Sequence, residues 1–124
     1  MAGVIHIQWY GTLFRGDALA DGITEMAAPV AMQYGATRYS VQRSQDDAYR
    51  ILQMVWFDSK DDWYRYWEGP ELIEFRARYT GRYMIPIVYV WHDEIAGDEA
   101  PVTAAVSRRD SADPEPDSEP QAAA

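Results

Sequence analysis

Residues 82–92, RYMIPIVYVWH, are apolar whichever alternate position one counts from. Tyr83, Ile85, Ile87, Tyr89 and Trp91 fall on one parity, and Met84, Pro86, Val88 and Val90 on the other. A strand sends successive side chains to opposite faces, so this run predicts a strand that needs cover on both sides. Pro86 cannot donate to a sheet ladder, which predicts a strand at an edge.

The periodicities before it predict what else is in the sheet. Residues 4–10, VIHIQWY, read as a first strand that ends at Gly11. Asp17 is expected to cap a helix in which Leu19, Ile23, Met26, Ala27, Val30 and Tyr34 keep helical spacing, closed by Gly35. Gly22 and Pro29 weaken or bend that helix. Residues 36–44 alternate Tyr39 and Val41 with Arg38, Ser40 and Gln42, a strand wet on one side. Asp46 and Asp47 make a turn into a third strand, residues 48–57. Ser59 and Asp62 imitate a capping box, and Trp63, Tyr66 and Trp67 share one face of the helix that follows. Gly69 breaks it, Pro70 suits the first position of a renewed helix, and Leu72, Phe75 and Tyr79 continue the stripe to Gly81.

The order is βαββαβ, which predicts an α+β, ferredoxin-like fold: a four-stranded antiparallel sheet with its helices on one face. Right-handed crossovers put the first and third strands in the centre. The polar second strand and the proline-bearing fourth then fall on the edges. One helix layer leaves the other sheet face bare, and an apolar bare face predicts association, here as a homodimer with two sheets face to face.

At 124 residues the chain suits one domain, expected over residues 1–96. Residues 97–124 carry seven acids against Arg108 and Arg109, four of the seven prolines and no aromatic residue. A disordered acidic tail is expected there, serving either as a solubilising extension or as a contact for a protein partner. The net charge of −9 disfavours nucleic-acid binding, which depends on neutralising phosphates. No run is long and apolar enough for a membrane span, and residues 1–10 lack the pattern of a signal peptide. No membrane association and a cytoplasmic location are therefore expected. The chain has no cysteine, so thiolate chemistry is absent, and His6 and His92, 86 positions apart, form no recognisable ligand spacing; no metal is expected.

The run FDSKDDWYRYWEGPELIEFRARYTGRYMIPIVYVWH, residues 57–92, resembles the second helix and last strand of the antibiotic biosynthesis monooxygenase superfamily, the dimeric α+β barrel proteins. The elements that carry the resemblance are Phe57, Ser59, Trp63, Trp67, the Gly69-Pro70-Glu71 break and Phe75. It implies a homodimer with a barrel between two sheets, and a small-molecule cleft between helices and sheet. Some relatives oxidise aromatic quinols without metal or flavin, and others degrade haem. The haem degraders carry an asparagine on the first strand, a tryptophan near the end of the third and a histidine late in the second helix. Trp56 matches the tryptophan. The chain has no asparagine, and residues 75–79 include no histidine, so haem degradation is disfavoured.

The resemblance frames a small aromatic or apolar substrate and no cofactor. His6 or His92 is a candidate base, with Arg76 to stabilise a phenolate. Trp9, Trp56, Trp63 and Tyr66 are candidates to clamp a ring, and Gln8 and Gln53, amides on central strands, to border a polar corner of the cleft. Plainer roles stand beside these: His6 as a hydrogen-bonded structural residue, Trp63 and Trp67 as core, Arg76 and Arg78 as partners of Glu74. The functional readings are a cofactor-free, monooxygenase-like oxidoreductase, a ligand-binding dimer without turnover, and an accessory protein that engages a partner through its tail.

Overall fold

The computed structural model describes residues 2–101. Four strands form one antiparallel sheet: β1, Gly3–Tyr10; β2, Ala36–Arg43; β3, Arg50–Phe57; and β4, Val88–Asp93. The spatial order is β2-β3-β1-β4, so β1 and β3 are central and β2 and β4 are edges, as the crossover rule requires. The chain divides into a unit of residues 1–94 and a second from Ile95 onward. No helix or strand occurs in residues 95–101, and the rest of the expected acidic tail lies outside the described residues.

Register fixes which side chains share a face. Ile5 pairs with Val55, Ile7 with Gln53 and Trp9 with Ile51, and all six are buried under the helices. The alternate set points the other way: Val4 opposite Trp56, His6 opposite Met54 and Gln8 opposite Leu52. β4 extends that second row with Val88, Val90 and His92.

The first helical stretch departs from a regular helix. It runs as α1, Gly16–Gly22, then a π-helical turn, Ile23–Ala27, then α2, Ala28–Val30, then a 3₁₀ turn, Ala31–Tyr34. Pro29 has no N–H to offer the carbonyl four residues before it, and just ahead of it the Ala28 N–H reaches five residues back to Ile23. Gly35 closes the stretch in the left-handed conformation, at φ 94°. Asp17 is not the cap that its position predicts. The helix starts at Gly16, with Arg15 in the cap position, and the exposed Asp17 carboxylate pairs with Arg43 at 2.9 Å instead.

Two helices follow β3, α3 (Lys60–Trp67) and α4 (Pro70–Arg78). The Ser59 side chain accepts the Asp62 N–H at 3.3 Å, the expected cap. Gly69 separates the helices with an extended backbone, and the Tyr34 hydroxyl and the Arg65 carbonyl leave no room there for a β-carbon. Pro70 then starts α4 at its first position.

The last strand is shorter than expected and excludes its proline. Residues 82–84 still run beside the end of β1, with Thr12 N–H donating to the Arg82 carbonyl and Met84 N–H to that of Tyr10. The chain then loops out through Ile85 and Pro86, joined by a cis peptide, and β4 begins only at Val88. A residue that cannot donate to the ladder is placed where there is no ladder.

Candidate functional site

The nine residues singled out in the sequence fall into three places. Trp9, Gln53, Trp63 and Tyr66 lie between sheet and helices, fully buried. Trp9 Nε1–H donates to Gln53 Oε1 at 3.0 Å, Gln53 Nε2 donates to the Tyr66 hydroxyl at 2.9 Å, and that hydroxyl donates to the Ala27 carbonyl. The chain of bonds ties β1, β3, α3 and the π-helical turn together, and each polar atom in it has a partner. A satisfied buried network holds a core in one arrangement. Burial pushes the Tyr66 phenol far above its ordinary range, so it stays protonated and does no acid–base work near neutral pH.

Arg76 sits at the margin of this interior. Its guanidinium lies 4.1 Å from the Trp67 ring centroid, and Nη1 donates to the Trp67 carbonyl at 2.9 Å. Trp67 in turn meets Trp63 at 5.2 Å, Tyr89 at 5.4 Å and Trp9 at 5.9 Å. The guanidinium thus closes an aromatic cluster by a cation–π contact. The carboxylate partner considered for it, Glu74, is taken by Arg78 at 2.9 Å.

His6, Gln8 and Trp56 are on the opposite, helix-free face of the sheet. Sequence spacing kept the two histidines 86 positions apart, but β1 and β4 bring their rings to 4.2 Å between centroids. Partial burial and the neighbouring His92 both lower the His6 pKa, which favours the neutral ring. Arg38 lies 4.3 Å over the Trp56 ring. The sheet itself therefore separates His6 from the buried aromatic group and from Arg76. Among the described residues, no group of three or more His, Asp or Glu side chains is placed to hold a metal ion, and no helix is long and apolar enough to cross a membrane.

A further region, not singled out in the sequence, is a groove between the first helical stretch and α4, with a cavity of about 400 Å³. Met26, Pro29, Val30 and Phe75 give it an apolar lining, and Glu25, Gln33, Glu71, Glu74 and Arg78 a polar one. The two helical walls are clamped at either end. At one end Gly22 admits the Tyr79 ring, which a β-carbon would strike at 2.5 Å, and the Tyr79 hydroxyl reaches Met26 Sδ at 3.7 Å. At the other the Tyr34 hydroxyl donates to Glu71 Oε1 at 2.5 Å. Between the clamps the π-helical turn and Pro29 replace regular helix. The signal in the sequence is Gly22 and Pro29 inside a helical stripe, a pattern that marks a weakened helix and says nothing of a groove.

No protein-family model matches the sequence, and no curated protein matches it significantly. Solved structures do share the fold. A candidate antibiotic biosynthesis monooxygenase from Nitrosomonas europaea superposes with a TM-score of 0.68 at 16% identity, covering 77% of this chain and 100% of its own. A Mycobacterium tuberculosis protein gives 0.68 at 13%, covering 80% and 100%. SnoaB of Streptomyces nogalater, a cofactor-independent oxygenase, gives 0.65 at 9%, covering 77% and 95%. The chain therefore has the α+β, ferredoxin-like fold of the antibiotic biosynthesis monooxygenase structures, as the resemblance in residues 57–92 implied. At these identities the likeness is one of fold, and fold does not carry activity with it.

Proposed function

We propose that this protein is a small-molecule-binding homodimer of monooxygenase-like fold that takes a small aromatic or apolar compound in the groove between the first helical stretch and α4. The observation that carries the reading is the groove itself: about 400 Å³, within the range of small-ligand sites, with apolar side chains and a few convergent charges around it. The interior between sheet and helices is a poorer candidate, because Trp9, Gln53, Trp63 and Tyr66 fill it and satisfy one another. What supports the homodimer is the bare sheet face, on which Val88 and Val90 remain 47% and 44% exposed beside half-buried Leu52, Met54 and Trp56.

The direct test is a titration of isotope-labelled protein with small aromatic compounds, followed by NMR. Binding should move the signals of Met26, Val30 and Phe75 and leave Trp9 and Gln53 nearly unmoved. Shifts confined to Trp9, Gln53 and Tyr66 would transfer the site to the interior and end the groove reading.

A second reading, cofactor-free oxygenation, is favoured by one feature: Arg76 beside the Trp9–Trp67 cluster offers a fixed cation to a developing phenolate. His6 is across the sheet from that cation, so a base would have to come from elsewhere or from the substrate. Oxygen consumption with anthrones and quinols decides between turnover and binding alone. Arg76→Ala abolishing such consumption while the groove remains functional would establish the enzymatic reading. The acidic tail as a contact for a protein partner is a separate proposal; a chain ending at residue 96 should keep its fold and its self-association.

A further inference from the structure

The groove's charges are unevenly matched. Three carboxylates, Glu25, Glu71 and Glu74, line it with one guanidinium, Arg78, and that guanidinium is engaged with Glu74 at 2.9 Å. Glu71 accepts a hydrogen bond from Tyr34, a neutral donor that fixes the carboxylate without cancelling its charge. The same bond holds the Glu71 carboxyl below the usual carboxylate range, so it is ionised at neutral pH. Glu25 lies on the opposite wall, in the π-helical turn. An apolar lining under two negative charges, one from each wall, that form no ion pair among the described residues is complementary to one kind of small molecule.

We propose that the groove selects an apolar organic cation: a compound with an aromatic or branched aliphatic body and a single ammonium group. This rests on the groove being the binding site, and adds the class of ligand. The body would lie against Met26, Val30 and Phe75, displacing water from apolar surface. The ammonium would reach the Glu25 and Glu71 carboxylates at the rim, where it can keep part of its hydration and still donate charge-assisted hydrogen bonds. A neutral isostere gains only the apolar contact. An anion of the same shape meets both carboxylates unfavourably.

The experiment compares three probes of one shape, 1-naphthylmethylamine, 1-naphthylmethanol and 1-naphthoate, titrated into the full chain by calorimetry with NMR to locate the site. The amine should bind tightest, up to about fivefold over the alcohol, the upper end for an exposed charge pair, and the naphthoate weakest. Raising salt to half-molar should narrow the gap by screening. The double variant Glu25→Gln, Glu71→Gln keeps an acceptor for Tyr34 and should bring amine and alcohol to similar affinity. Equal binding of amine and alcohol to the unaltered protein, with shifts at Met26 and Val30, would overturn the charge preference and leave the groove standing. Binding of none of the three at millimolar concentration would remove both. An amine preference that survives in the double variant would put the ammonium elsewhere and overturn the assignment.

Discussion

The two faces of the sheet are made from the same strands and have opposite chemistry. On the helix side, Ile5, Ile7 and Trp9 alternate with nothing polar that lacks a partner, and Gln53 is enclosed by bonds to Trp9 and Tyr66. On the bare side, valines, a methionine and a tryptophan are interleaved with His6, Gln8 and Arg38. The first is a surface finished within one chain. The second mixes apolar side chains with polar and charged ones, and it is the surface proposed above to be covered by a second copy. The comparison teaches that burial on this sheet is decided face by face and not strand by strand.

The largest expected effect is on the finished face. Trp67→Ala removes a ring packed against Trp9, Trp63 and Tyr89 and leaves Arg76 without its aromatic partner, so a loss of about 3–5 kcal/mol in denaturant unfolding is expected. A change under about 1 kcal/mol would mean the cluster is not the core that its burial indicates. Next in size is Gln53→Leu, which keeps the volume but strands the Trp9 N–H. That orphaned donor should cost about 1–3 kcal/mol. If the variant matches the unaltered protein, the network is dispensable and the contrast between the faces loses its polar half.

Much of this was legible in the chain, and the reasons for what was not are local. The βαββαβ order, the central first and third strands, the Ser59 cap and the buried Trp63 and Trp67 follow from period, caps and crossover handedness, which are properties of a few neighbouring residues. The candidate site was harder because a β-strand's two faces are separated by a single residue. Gln8 and Trp9 are adjacent in sequence, and the sheet puts them on opposite sides. His6 and His92 illustrate the converse, since only strand pairing brings together residues so far apart. The groove arose from a defect, Pro29 and the π-helical turn, and no periodicity forecasts what a broken helix will enclose.

A smaller effect is expected on the bare face, and it reads association instead of folding. Val90→Asp introduces a carboxylate beside His6 and His92 on a surface proposed to be covered by a second copy. The dimer dissociation constant should rise by about tenfold or more, about 1.4 kcal/mol, in sedimentation equilibrium, while the unfolding of the protomer changes little. An unaltered protein that sediments as a protomer at micromolar concentration would remove the homodimer outright.

The smallest expected effect concerns pH, and its sign follows from His6. Its pKa in the folded chain lies below the ordinary value of 6.5, because partial burial and then His92 disfavour the charged ring. Well above pH 6.5 the ring is neutral in folded and unfolded chains alike and contributes no pH dependence. As the pH falls through 6.5 the unfolded chain takes up a proton that the folded chain resists, so stability declines until the lower folded value is passed. Of the groups that share this face with His6, His92 on β4 is the one that disfavours the charged ring, and Val90 and Met54 beside it offer no countercharge. Urea midpoints measured between pH 7.5 and 5 should therefore fall, and fall less in His6→Gln than in the unaltered chain. Parallel curves for the two proteins would show that the histidine pair is indifferent to folding, and would leave the bare face distinguished by its apolar side chains alone.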